Sequence, residues 1–389
     1  MAQNKSLKKA GAGLKQYGMM IMLIVVYVFF AILTGGKNLT PMNINNLIMQ
    51  NGYVVILAVG MLLCVLTGNV DLGVGSVVAS TGAVAGTLII DFGWSAPAAM
   101  AAALAVGAAF GVFVGFFVSE LEIPPFIVTL ATMLMGRGLC YVILKAQTKG
   151  PLPAAYNWIG TGFLPTIKVF GGVDLICLIV AAVISVLIVL GEMKAVATAK
   201  KHGLPVAPVW QLILKDAVII GIVWFFFWKL ANYNGIPVVL VLMAILVGIY
   251  HFITTNTVAG RQVYAMGGNA KAARLSGINT KKVFFWVYAN MGLLAAVAGI
   301  VLSARNQSAT PKAGDSFEMD AIASCYIGGA ATSGGVGTII GAVVGAFIMG
   351  ILNNGMSLAG YDTNIQKIVK GMVLLGAVTV DLVSKRKKG

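Results

Sequence analysis

Asp71, Arg137, Glu318 and Asp320 stand inside or at the ends of long apolar runs. An isolated charge in such a place costs about 3 kcal/mol or more, so these groups must face protein, water or each other. Two roles fit them. They can line a path for a hydrophilic solute. Alternatively, Asp71 and Asp320 can cap helices at the membrane edge, because GNVDLG at 68–73 and EMDAIA at 318–323 both read as helix starts. Asn353 and Asn354 end a glycine-rich run, where they can hydrogen-bond the hydroxyls of a solute or simply link helices.

Bond-breaking chemistry finds no comparable set. The phosphate-binding pattern G-x-x-x-x-G-K-[ST] is missing, so the chain does not hydrolyse ATP through such a loop by itself. His202 and His251 are the only histidines and neither has a catalytic setting, which argues against a Ser-His-Asp enzyme. Cys64, Cys140, Cys177 and Cys325 each lie in an apolar segment without metal-ligand spacing, and read as reduced core residues. No metal and no bound cofactor is expected. The runs also hold no row of acids for a proton relay, which argues against a proton-coupled transporter.

The elements that position these residues follow from composition. The chain has 389 residues, 59% hydrophobic and 10% charged. A soluble domain carries about 25% charge, so this chain cannot cover itself with water-compatible side chains. The expectation is an all-α polytopic membrane protein with about 10–12 transmembrane helices, an inverted repeat and both termini cytoplasmic. Apolar runs occupy 17–33, 47–66, a third ending near 91, 98–118, 126–144, 175–190, 212–230, 235–253, 284–303, 319–331, 337–352 and 368–382. The run 319–331 falls short of the ~20 residues a crossing needs, so a re-entrant or broken helix is expected there. A net charge of +15 would suit nucleic acid, but the basic residues sit in short loops and at both ends, as cytoplasmic loops require. Nucleic acid is therefore not a partner; membrane lipid is.

The expected organisation is one transmembrane domain. It comprises a cytoplasmic tail (1–16), a first repeat (17–144), an inserted two-helix hairpin (173–231), a second repeat (235–383) and a basic tail (384–389). Gly107, Gly111 and Gly115 recur at i, i+4 and i+8 and form a flat face for close helix packing; Gly341 and Gly345 repeat that spacing. Asp71 precedes the first such block and Asp320 the second, in opposite orientations. The loop 145–173 is placed outside, where Tyr156 and Trp158 can anchor at the lipid interface, the favoured role, or meet an external partner. A basic loop with Lys194, Lys200, Lys201, His202 and Lys215 joins the hairpin on the inside.

The stretch 260–283 is basic and free of acids. Asn269 can cap a short helix through Ala270, Ala272, Ala273, Arg274 and Leu275, and Gly277 can stop it. Such a helix suits docking to a cytosolic partner, and it also suits an ordinary basic inside loop.

GNVDLGVGS (68–76), EIPPFIVTLATMLMGRGL (122–139), GGNAKAARLSGIN (267–279) and the run from PKAGDSFEMD to NNGMSL (311–358) resemble the membrane permeases of ribose- and xylose-type ABC sugar importers. The hairpin makes the chain more similar to the xylose and multiple-sugar branch. Gly73 stands where the family commonly has Ser. The resemblance implies one half of a dimeric inner-membrane channel, most simply a homodimer with a second permease copy. A cytosolic ABC ATPase, which uses ATP and magnesium, would dock beneath it. A periplasmic sugar-binding protein would deliver a monosaccharide. The family's coupling segment falls on Gly267, Gly268, Asn269, Ala272, Ala273, Arg274, Leu275, Ser276 and Gly277. The rival reading is an ATP-independent secondary transporter or facilitator.

Overall fold

The computed structural model describes residues 2–169, 171–203 and 208–386; side chains of 2–17, 380, 381 and 384–386 lie outside that description. Tail lysines Lys5, Lys8, Lys9 and Lys15, and the basic end 384–389, therefore fall outside the described side chains. In order, the helices are α1 (Ala2–Leu33), α2 (Pro41–Leu66), α3 (Val74–Ile90), α4 (Ala96–Ser119), α5 (Pro125–Leu144), α6 (Ala154–Thr161), α7 (Leu175–Lys201), α8 (Val209–Ala231), α9 (Val238–Asn256), α10 (Val258–Gly268), α11 (Ala270–Leu275), α12 (Thr280–Asn306), α13 (Phe317–Ile327), α14 (Ile339–Leu358) and α15 (Thr363–Arg386). Among the described residues, 8 helices are long and apolar enough to cross a membrane, and Gly18–Leu33 and Val74–Ile90 are shorter apolar helices. The chain is an all-α, multi-pass membrane protein.

Two contact units make up the chain. The first holds residues 1–38, 47–162 and 239–389. Its centre is α2, whose residues 54–67 are buried without exception. A helix apolar on every side is surrounded by other helices.

Helix order and packing repeat within this unit. The series α2, α3, α4, α5 has 26, 17, 24 and 20 residues; α12, α13, α14, α15 has 27, 11, 20 and 24. In both series the second and third helices pack on each other, and the fourth packs on the second. The third helix of each series carries the glycine row. A Cβ on Gly111 would lie 2.6 Å from the Ala289 carbonyl oxygen, and one on Gly115 2.9 Å from that of Phe285, so α4 and α12 touch backbone to backbone. Gly341 and Gly345 of α14 press in the same way on Gly328 and Ser324.

The second members of the series are the unusual ones. Val78 lies against Gly299 of α12, and Gly86 against Ala309. At 1.5 Å per residue, α3 therefore begins roughly halfway along α12 and runs outward. Phe317 stacks on Tyr53 at 4.0 Å between ring centroids, so α13 begins about halfway along α2. Cys325 Sγ donates to the Ala58 carbonyl at 3.5 Å, and Gly335 N to that of Leu66 at 2.9 Å, so α13 runs inward. The broken helix expected at 319–331 is thus an 11-residue helix, and the third run is a partial helix as well.

The second unit, residues 39–46 and 163–238, contains the α7–α8 hairpin. Its entry is a two-residue antiparallel ribbon, β1 (Lys168–Val169) with β2 (Val173–Asp174). Asp174 caps α7, accepting from Ile176 N at 3.3 Å and from Ile167 N at 3.0 Å. The expected basic loop is shorter than the sequence suggests. Lys194, Lys200 and Lys201 lie on α7 and Lys215 on α8, where Lys215 pairs with Glu192. Helix propensity carries α7 past the apolar stretch, since nothing between 190 and 201 breaks it.

The outer loop also differs from expectation. Tyr156 is not an interface anchor: it sits on α6, fully buried, with its hydroxyl 2.8 Å from Ser303 Oγ. Trp158 remains half exposed. All four cysteines are free and buried.

Gly111→Leu should lower the stability of the detergent-solubilised protein by at least about 1–3 kcal/mol, since the side chain has to displace backbone. Val112→Leu, on the lipid-facing side, should leave the melting temperature unchanged. Equal melting curves for the two variants would contradict this packing.

Candidate translocation path and coupling segment

α3 and α13 meet N-terminus to N-terminus. Gly75 and Gly314 lie against each other's carbonyl oxygens, with no room for a Cβ on either. Gly314 has φ +71°, which glycine adopts without strain. Both helices thus begin halfway across the bundle, where irregular backbone is tolerated only if protein surrounds it or it lines a water-filled cavity.

The charged residues singled out in the sequence gather around this junction. Asp71 is 6% exposed and accepts from Gly73 N at 2.8 Å, so it holds the turn that opens α3. The capping position itself is Gly73, without a side-chain cap. Arg137 of α5 donates to the carbonyls of Pro311 at 2.9 Å and Ala313 at 2.6 Å, fixing the strand of chain that leads into α13. Glu318 lies beside Gly75 in the first turn of α13 and is half-buried. Asp320 is buried in the same turn. Carboxylates at these positions offset the positive ends of the two helices.

Two partners escaped the sequence reading. Lys370 Nζ of α15 lies 2.9 Å from Asp320 Oδ1 and donates to Oδ2 at 3.0 Å. One turn earlier, Lys367 pairs with Asp315 at 2.7 Å in an exposed setting. The i, i+3 spacing of the two lysines puts them on one helix face and is the signal that could have found them. Asn353 and Asn354 are not part of this group. They lie farther along α14, beyond Gly350, which packs on Asn51. Asn354 is buried, and Asn353 Oδ1 is buried without a hydrogen-bond partner among the described residues.

The residues expected to form a coupling segment, 267–277, lie apart from the junction, at the C-terminal end of α2. Asn269 Oδ1 accepts from Ala272 N at 3.0 Å and starts α11. Gly277, at φ +85°, ends it, with Ile278 N donating to the Ala273 carbonyl at 3.1 Å. These are the expected start and stop of the helix. Ala273 is its inward anchor, while Lys271, Ala272, Arg274, Ser276 and Gly277 are exposed. Leu275 is 90% exposed. Gly267 is pressed against the Leu66 carbonyl and Gly335 N, whereas a Cβ added to Gly268 would point into open space.

Opposed helix ends buried in the middle of an apolar bundle, with irregular backbone only where protein surrounds it, are the pattern of a membrane transport protein. The chain belongs to the family described as "Branched-chain amino acid transport system / permease component", whose model matches residues 43–195 and 206–378. It is 38% identical over 376 residues to the xylose transport system permease protein XylH of Escherichia coli K12, covering 96% of this chain and 93% of that one. The Haemophilus influenzae protein of the same name is 36% identical over 382 residues, covering 98% and 99%. The ribose import permease protein RbsC of E. coli K12 is 36% identical over 361 residues, covering 92% of each chain. No solved structure matches. The chain is a multi-pass permease component of the bacterial inner membrane.

Removing one member of the buried pair should be costly. Lys370→Met leaves Asp320 unpaired and should destabilise the protein by about 3–5 kcal/mol. Adding Asp320→Asn should recover most of that loss. Lys367→Met, in an exposed pair, should melt like the wild type. Indistinguishable melting of both single variants would contradict this assignment.

Proposed function

We propose that this chain is the transmembrane subunit of an ATP-binding-cassette importer for a monosaccharide, an aldose such as xylose, arabinose, glucose or galactose. A periplasmic binding protein delivers the sugar, and a separate cytosolic ATPase supplies the work from ATP and magnesium. Two permease copies form the channel. The names of the relatives, two for xylose and one for ribose, support a pentose within that class.

One observation carries the reading. α11 is capped at both ends and pinned by Ala273, yet it presents Arg274 and a nearly bare Leu275 to the cytoplasm. A large apolar side chain held out on a rigid cytoplasmic helix is a contact awaiting a protein. A facilitator working alone has no use for it. The docking surface on this reading is Gly267, Gly268, Asn269, Ala272, Ala273, Arg274, Leu275, Ser276 and Gly277. The sugar path passes the junction of α3 and α13. Glu318 and Arg137 are the half-buried polar groups there, and Asp71 and Asp320 hold the helix ends that frame it. Asn353 and Asn354 are assigned to its outer part. Closure of the ATPase on ATP would push α11 and tilt the attached helices, switching access from one side to the other.

Copurification tests the docking. The cognate ATPase should copurify with the wild-type chain and fall away from Arg274→Glu, which inserts normally. Equal recovery of ATPase with both would count against the docking role and favour the facilitator.

A further inference from the structure

Beneath the bundle, three stretches far apart in sequence meet backbone to backbone. They are the end of α2 at 66–68, the end of α10 at 267–268, and the segment 334–337 between α13 and α14. Gly335 N donates to the Leu66 carbonyl at 2.9 Å, and Tyr264 Oη donates to that of Gly337 at 2.7 Å. Gly334 lies over Gly68, and Gly267 is wedged between Leu66 and Gly335. A Cβ on Gly335 would stand 2.8 Å from Gly268 N. Gly68, Gly334 and Gly335 have φ of +80°, +80° and +72°, so the contact is built from conformations that glycine supplies. With no side chain between them, these segments have no rotamers to absorb a displacement.

The connections of this joint give it a purpose. Leu66 leads through Asp71 to the start of α3, while 334–337 follows directly on α13. The two short helices that meet at Gly75 and Gly314 are therefore both tied, by a few residues of chain, to one point beside the coupling segment. We propose that this glycine joint passes movement of α11 to α3 and α13 together, and that Tyr264 and Gly335 are its positioning residues. The inference rests on the importer reading for the source of the push. Nothing in ATPase docking itself requires either residue: Tyr264 is turned inward to Gly337, and Gly335 lies behind Gly267 and Gly268.

Reconstituted transport with the ATPase and binding protein tests this. Tyr264→Phe keeps the ring and loses one hydrogen bond; Gly335→Ala drives a methyl into Gly268. With Tyr264→Phe the ATPase should copurify as it does with the wild type and continue to hydrolyse ATP, while sugar uptake falls by about two- to thirty-fold with either variant. In the wild-type complex, ATP should change amide hydrogen exchange in 67–73 and 328–338 together, and Tyr264→Phe should weaken that response. Normal uptake by both variants, parallel loss of ATPase binding, or exchange in these segments indifferent to ATP would each overturn the joint. Should Gly335→Ala not fold, Tyr264→Phe and the wild-type exchange decide. Wild-type uptake that ignores ATP would instead overturn the importer reading.

Discussion

Everything in this structure depends on the backbone contact between Gly75 and Gly314. Two helices stop halfway across an apolar bundle and face each other with their amide ends. Lipid supplies no hydrogen bonds, so each freed N–H and C=O must find a protein partner. Asp71 takes the Gly73 amide, Arg137 takes the carbonyls of Pro311 and Ala313, and Asp320 is neutralised by Lys370. The charges that look extravagant in the sequence are the ones that make this irregular backbone tolerable. A side chain at Gly75 or Gly314 would separate the helix ends and leave those groups unmatched.

The long helices follow from that constraint. α3 and α13 each cover only part of the bundle's height, so α2 and α12 must run beside them along their whole length. The glycine face of α4 lets it approach α12 closely enough to enclose α3, while α14 presses Gly341 and Gly345 on the end of α13 and Gly350 on Asn51 of α2. A junction closed in this way is shielded from lipid and is tied to the cytoplasmic end through the turns at 66–73 and 328–338. The exposed α11 stands beside those turns. Structure and function meet there: the part of the chain suited to a soluble partner is separated by one layer of glycine backbone from the segments that lead to the junction.

Much of this was legible in the residues. Every apolar run became a helix, because composition and length dictate that in a membrane. The Gly107, Gly111, Gly115 spacing fixed a packing face, and Asn269 and Gly277 bound α11 as their capping chemistry requires. Other features were hidden for physical reasons. The start of α3 halfway along its neighbour depends on depth, which hydropathy does not encode. Tyr156 looks like a rim anchor because the residues that bury it, among them Ala99, Ala103 and Ile300, and the Ser303 hydroxyl that meets its own, are far away in sequence. Lys367 and Lys370 drew no notice in the sequence, since their partners Asp315 and Asp320 are some fifty residues away along the chain. Asp71 and Asp320 were equally compatible with helix-end and path roles; Asp71 accepts from Gly73 N ahead of α3, and Asp320 stands in the first turn of α13 paired with Lys370.

The most direct test of the account is uptake of labelled xylose, arabinose, glucose and galactose into proteoliposomes. The vesicles would hold this protein with its cognate ATPase, with ATP inside and the binding protein outside. The account predicts uptake of one of these sugars only when all three proteins and ATP are present. Uptake by this chain alone, unchanged by ATP, would contradict it.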